Sequence, residues 1–209
     1  MSDFKELVKE RRSAGNFIPE FTVSKQELNE IFELVKLGPS AFNLQHTNYI
    51  TVLDKDKKEM LQVAANGQYK VLSSSAVIIV LGDKNAFHQT AEIYEGLKLL
   101  GIVNKQEYDL MVNDTVSFYQ SRGEEFQRDE AIRNGSLSSM LFMMAAKEKG
   151  WDTCPMIGFD PIKVKEVLNI SEQYEVVMMI TLITLGKEKV ESRKPRGYRK
   201  PVNEFVTYI

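Results

Sequence analysis

Six consecutive apolar residues, Ala76-Val77-Ile78-Ile79-Val80-Leu81, run from a serine cluster to Gly82-Asp83 without one polar residue to mark an outward face. A strand of that pattern is buried on both sides, so it belongs in the middle of a layered molecule, covered above and below. A second run, Val176 to Leu185 (VVMMITLITL), makes the same demand far along the chain. With long helical stretches between them, these strands predict an α/β or α+β chain built in layers. At 209 residues the chain is long enough to close one core, so a single domain over 1–209 is expected.

The remaining elements follow from periodicity. Phe4, Leu7 and Val8 sit at helical spacing within residues 3–12, and a break through Gly15 and Pro19 follows. Ser24 with Glu27 three residues on is a capping box. It should start a helix that buries Leu28, Ile31, Phe32 and Val35 and ends near Gly38-Pro39. Residues 49–53 read YITVL, a strand, and a helix over about 56–65 comes next. Residues 86–122 are helical but untidy, with Gly96 and Gly101 inside. A central helix over 124–149, carrying Ile132, Leu137, Met140, Leu141, Met144 and Ala145, should be buried on most sides and stop at Gly150. Asp160-Pro161 opens a short helix to about 168. Beyond Gly186 the tail is basic, and it closes on the apolar stretch Phe205 to Ile209.

A net charge of −2 gives no global electrostatic reason to bind nucleic acid or an anionic membrane. No apolar run approaches the roughly 20 residues of a membrane helix, and the polar start after Met1 is unlike a secretory leader. A cytoplasmic protein is expected. One cysteine and two histidines make a poor metal kit, and no metal site is expected.

Five segments look chemical. Arg11-Arg12-Ser13 can surround a phosphate with charge-assisted hydrogen bonds, or it can be a solvated basic turn. Gly38 to Gln45 (GPSAFNLQ) offers small and amide residues to a flat ring, or is an ordinary helix-to-strand loop. Asn66 to Lys70 places an amide and an ammonium, Gln68 and Lys70, just before the buried strand. In Asp152 to Asp160, backbone amides and Gly158 permit close approach to a ligand. Cys154 in that segment has no histidine near it in sequence, and reads as a small apolar filler rather than a nucleophile. Gly197 to Pro201 is a solvated tail or folds back to complete an anion site.

In this order and at these distances the five segments resemble the flavin-dependent nitroreductase family, nearly end to end. That resemblance implies a central, mainly antiparallel sheet surrounded by helices, in an intertwined homodimer. It implies that Arg11, Arg12 and Ser13, with Arg199 from the tail, hold the phosphate of FMN. Gln68 and Lys70 would reach the pyrimidine side of the flavin, where a positive charge favours the reduced form. Pro155, Met156, Ile157 and Gly158 would line one face, with a backbone N–H near N5. Pro39, Ser40, Ala41 and Asn43 would come from the other subunit, and the extension 186–209 would pack on that subunit. Three departures stand out: Gln45-His46-Thr47 where the family has Gln-Pro-Trp, Ile157 where an acid is common, and Ala14-Gly15-Asn16 without a further arginine.

The activity implied is FMN-dependent transfer of electrons from NADH or NADPH to small acceptors such as nitroaromatics or quinones, in a ping-pong sequence. No side chain is nominated as acid or base, and no glycine-rich dinucleotide fingerprint is present. The region of Phe118, Tyr119 and Phe126 serves either as a substrate lid or as core. Two alternatives keep the fold: another acceptor class (an enone, a halogenated phenol, free flavin), or a flavin-binding redox sensor with little turnover.

Overall fold

The computed structural model of the chain describes residues 3–176 and 182–209. Helix α1 (Phe4–Glu10) leads to α2 (Lys25–Val35), β1 (Thr47–Val52), α3 (Lys55–Ala64), α4 (Tyr69–Ser73) and β2 (Ala76–Asp83). Next come α5 (Thr90–Leu99), the long α6 (Lys105–Glu148), β3 (Asp152–Met156), α7 (Pro161–Leu168), β4 (Tyr174–Val176) and β5 (Leu182–Gly186). The expected long strand over 176–185 is described at its two ends, as β4 and β5, and its middle lies outside the described residues.

The sheet order is β1-β2-β5-β3, with β4 also paired to β2, and every strand pair is antiparallel. All of β2 is buried, as its unbroken apolar run requires. Its side chains alternate between two cores. Val77, Ile79 and Leu81 join Leu61 of α3, Val71 of α4 and Val164 of α7. Ala76, Ile78 and Val80 join Leu28, Ile31 and Val35 of α2 with Phe142 and Ala146 of α6. The period-2 geometry of one strand thus separates two helical layers. Gly82 marks where α6 crosses: a Cβ there would sit 2.6 Å from the Ala131 carbonyl oxygen.

The capping box of α2 is formed from both sides, Ser24 Oγ accepting from Glu27 N–H and Glu27 accepting from Ser24 N–H. Helix α6 is interrupted at Gly123 (φ 77°, ψ 179°), which divides it where the untidy and regular patterns meet. It closes at Lys149, with Gly150 in the left-handed region. The helix is covered on fewer sides than expected: Met144 and Ala145 are buried with Ala131, Phe142, Met143 and Ala146, whereas Leu137 and Met140 are exposed. Apolar residues lie on two sides of this helix, so periodicity alone could not select the covered one.

Helix α1 forms within the expected 3–12; it buries none of its residues, and Phe4 projects into solvent. Residues 152–156, given no secondary structure from the sequence, form β3 against β5. Pro155 hides this strand in the sequence, since proline is confined to sheet edges, and the end of the strand order is where β3 lies. Among the described residues no helix is long and apolar enough to cross a membrane, and no acid, histidine and cysteine cluster could hold a metal ion.

Candidate active site

Arg11 caps α1, donating its backbone N–H to Leu7 O at 2.9 Å. The chain then turns onto β3: Ser13 bridges Thr153, and Ala14 N–H donates to Thr153 O at 3.0 Å. The tail after β5 returns beside this turn. Ile18 N–H donates to Lys187 O, and Lys189 N–H donates to Asn16 O. Glu188 fastens the two strands of chain: its carboxylate accepts from Gly15 N–H at 2.9 Å and from Arg193 Nε at 3.1 Å. Ser192 Oγ accepts from Asn16 N–H. Arg196 then reaches back over the helix end, donating to Lys9 O and Arg11 O.

The result is an open cleft of about 580 Å³. Six cationic side chains line it, namely Arg11, Arg12, Lys70, Lys194, Arg196 and Arg199, against the carboxylates Glu188 and Glu191. Ser13 is also in its wall. Burial pushes the Arg11 pKa down, and the neighbouring charges of Arg196 and Arg199 push it further in the same direction. Cations held together against mutual repulsion form a site that favours a multiply charged anion.

Lys70 ties this cleft to β3. Its Nζ donates to Cys154 Sγ at 3.2 Å, so the sole cysteine is a buried core residue beside an ammonium. Gln68 Nε2 donates to Gly158 O at 2.8 Å, and Asn66 Nδ2 donates to the same oxygen. A Cβ at Gly158 would come within 3.2 Å of Gln68 Nε2, so a side chain there would have to displace the end of the glutamine. Met156 turns its side chain into the core, which leaves only its backbone to face a ligand. Ile157 is exposed, at 68%.

Pro39 and Ser40 line a different hollow, of about 210 Å³, between α2, β1 and α6. Ala41 and Asn43 belong to the single 3-10 turn that follows. Within one chain, then, Arg11, Arg12, Ser13, Lys70 and Arg199 are brought together. Gln68 and Gly158 adjoin each other, and the Pro39–Asn43 group stands apart from the cleft.

Phe118, Tyr119 and Phe126 pack with Leu44 and Phe87 in a third apolar cluster. Tyr119 is only 1% exposed, so this aromatic is core. Its hydroxyl lies 3.3 Å from His46 Nε2. Burial lowers the His46 pKa, while burial and the Glu130 carboxylate raise that of Tyr119. Arg196 and Lys194 joined the cleft without being singled out among the tail's basic residues, and Glu188 carried no sequence signal at all.

A profile of the Nitroreductase family matches residues 8–187. Over its full 209 residues the chain is 70% identical to MhqN, a candidate NAD(P)H nitroreductase of Bacillus subtilis (strain 168), with 100% of both chains covered. A crystal structure of a candidate nitroreductase, ydfN, also from Bacillus subtilis, superposes with a TM-score of 0.96 at 68% identity, covering 99% of this chain and 98% of that one. A candidate nitroreductase from Exiguobacterium sibiricum 255-15, solved in complex with FMN, superposes with a TM-score of 0.90 at 29% identity, covering 100% and 98%.

Proposed function

The chain belongs to the nitroreductase family, and we propose that it is an FMN-dependent oxidoreductase passing electrons from NAD(P)H to small acceptors such as nitroaromatics or quinones. The observation that carries this reading is the convergence of Arg11, Arg12, Ser13 and Arg199 on one cleft with Lys70 at its edge. FMN needs both a dianion site and a polar edge beside a flat face, and the residues present fit it. When bound, FMN supplies the redox chemistry, accepting hydride from the nicotinamide and then reducing the acceptor in a ping-pong sequence.

The chain's own groups would bind and orient. Arg11, Arg12 and Arg199 neutralise the phosphate, with Ser13 donating a hydrogen bond to it. Lys70 places an ammonium at the pyrimidine edge, beside Gln68. Pro155, Ile157, Gly158 and the backbone of Met156 form one wall. Pro39, Ser40, Ala41 and Asn43, which stand apart from the cleft of their own chain, would complete the site of a partner subunit. Residues 1–209 would then act as one domain in a homodimer, with 186–209 lying on the partner. The exposure of Phe205, Tyr208 and Ile209 in the tail and of Leu137 and Met140 on α6 supports such an interface.

The test is the visible spectrum of the purified protein, followed by anaerobic NADH and then NADPH. Flavin bands that bleach, and return when a quinone or nitroaromatic is added, are the expected result. Bands that persist with both donors would leave a flavin protein with another electron source. A protein that stays colourless after FMN is supplied would overturn the cofactor and the activity together.

A further inference from the structure

The turn after Ser40 holds three non-glycine residues in the left-handed region within four positions: Phe42 (φ 53°), Asn43 (φ 56°) and Gln45 (φ 51°). Asparagine tolerates that conformation, whereas a phenylalanine there is a conformational outlier. Such backbone persists only where the surroundings over-determine it. Two buried side chains do so here. Asn134, 3% exposed on α6, accepts from Ala41 N–H through Oδ1 at 2.8 Å and donates through Nδ2 to Glu130 O at 2.8 Å. Tyr94 on α5 donates its hydroxyl to Phe42 O at 3.0 Å.

Further contacts close the arrangement. Gln45 N–H donates to Ser40 Oγ at 3.0 Å, and the Phe42 ring lies against Phe118 and Tyr119 at 5.5 and 6.0 Å. The turn so held is itself largely outside the core: Phe42 and Asn43 are exposed and Ala41 half-buried. Two interior groups, from helices on either side of the Gly123 break, are thus committed to fixing the shape of a surface turn. Within the turn Leu44 alone is fully buried, in the apolar cluster with Phe87 and Tyr119, and anchors it; Ser40, Ala41 and Asn43 stay at the surface in a fixed shape.

We infer that Tyr94 and Asn134 are positioning residues for the flavin wall contributed across the dimer, holding Ser40, Ala41 and Asn43 in the conformation that meets the cofactor. This rests on the proposed FMN function, which assigns those residues to the partner's site. Tyr94 lines neither the cationic cleft nor the hollow beside Pro39 and Ser40, so it would act on the cofactor through the turn; Asn134 holds Ala41 and also lines that hollow.

The experiment compares wild type, Tyr94→Phe, Asn134→Ala and a control, Thr90→Val. The control removes another buried hydrogen bond of α5, from Thr90 Oγ1 to Phe87 O, without touching the turn. FMN is added to each apoprotein, and its dissociation constant, the visible circular dichroism of the bound flavin and the apoprotein melting temperature are read. Loss of one positioning hydrogen bond should weaken FMN binding by about threefold to tenfold in Tyr94→Phe, and by at least as much in Asn134→Ala. The flavin dichroism should change in both, while Thr90→Val keeps wild-type values for both readouts. Should Asn134→Ala fail to fold, Tyr94→Phe, which deletes a single oxygen atom, decides alone. Wild-type affinity and dichroism in Tyr94→Phe would overturn the inference, as would an equal loss in Thr90→Val. Failure of the wild type itself to bind FMN would instead remove the proposed function, and this inference with it.

Discussion

The cationic cleft and the Ser40–Gln45 turn are both irregular backbone, yet they are held by opposite means. In the cleft, like charges are collected: Arg196 and Arg199 disfavour the charge of Arg11, and most of the tail that carries them is exposed. In the turn, the backbone is strained but its contacts are complete, with Asn134 and Tyr94 fully engaged in the interior. A region with surplus charge gains from a ligand that neutralises it. A region held by internal contacts presents the same shape whether or not a ligand arrives. The comparison teaches that one part of the proposed site supplies affinity and the other supplies shape.

The sharpest way to break that contrast is Arg11→Met. It should raise the FMN dissociation constant by about a hundredfold, the scale expected when a phosphate is deprived of one charge-assisted hydrogen bond. The apoprotein should melt no lower than wild type, because the substitution also relieves repulsion with Arg196 and Arg199. A large fall in melting temperature would show that the cleft is a structural centre rather than a ligand site.

Glu188→Ala tests the fastening beneath the cleft. Gly15 N–H and Arg193 both lose their acceptor, and stability measured by urea denaturation should fall by about 2 kcal/mol. This variant should therefore separate from Arg11→Met, losing fold stability first and affinity only in consequence.

The aromatic cluster beneath the turn responds to pH, through His46. Its folded-state pKa is held below the ordinary 6.5 by burial, so the unfolded chain takes up a proton that the folded chain refuses. Stability is then fully present above pH 6.5 and declines as pH falls toward the folded value, with a slope of at most about 1.4 kcal/mol per pH unit. Urea denaturation of wild type and His46→Gln at pH values of about 7.5 and about 5.5 should show that part of the slope only in wild type. Equal slopes in the two proteins would remove His46 as its source.

The smallest expected effect is that of salt. Raising ionic strength from about 0.05 to about 0.5 M should weaken FMN binding by a few-fold, since exposed charges are screened. Tyr94→Phe should follow the same salt slope as wild type, displaced to weaker binding, because its defect is one of shape. A steeper slope in that variant would mean that the turn and the cleft are not separable.

Ser24 and Glu27, Gly150, Asp160 and the apolar run 76–81 each determined their local structure from within a few residues, and each was legible. The capping box, the helix stops and the doubly buried strand follow from hydrogen-bonding groups and side-chain period, which neighbours in sequence decide. Arg11-Arg12-Ser13, Lys70 and Arg199 were legible as a set through the resemblance carried by their order along the chain. Pro155 concealed β3, because a strand with no ladder donor at one position is recognised only when its edge place in the sheet is known. The covered side of α6 was undecided by a pattern with apolar residues on two sides, until β2 and α2 packed against one of them. Only tertiary structure brought Glu188 to Gly15, Arg196 to the end of α1, and Asn134 and Tyr94 to the strained turn. Those partners are separated by 173, 185, 93 and 52 residues, and no local propensity encodes a pairing that exists only once the sheet has closed and its helices have packed on both faces.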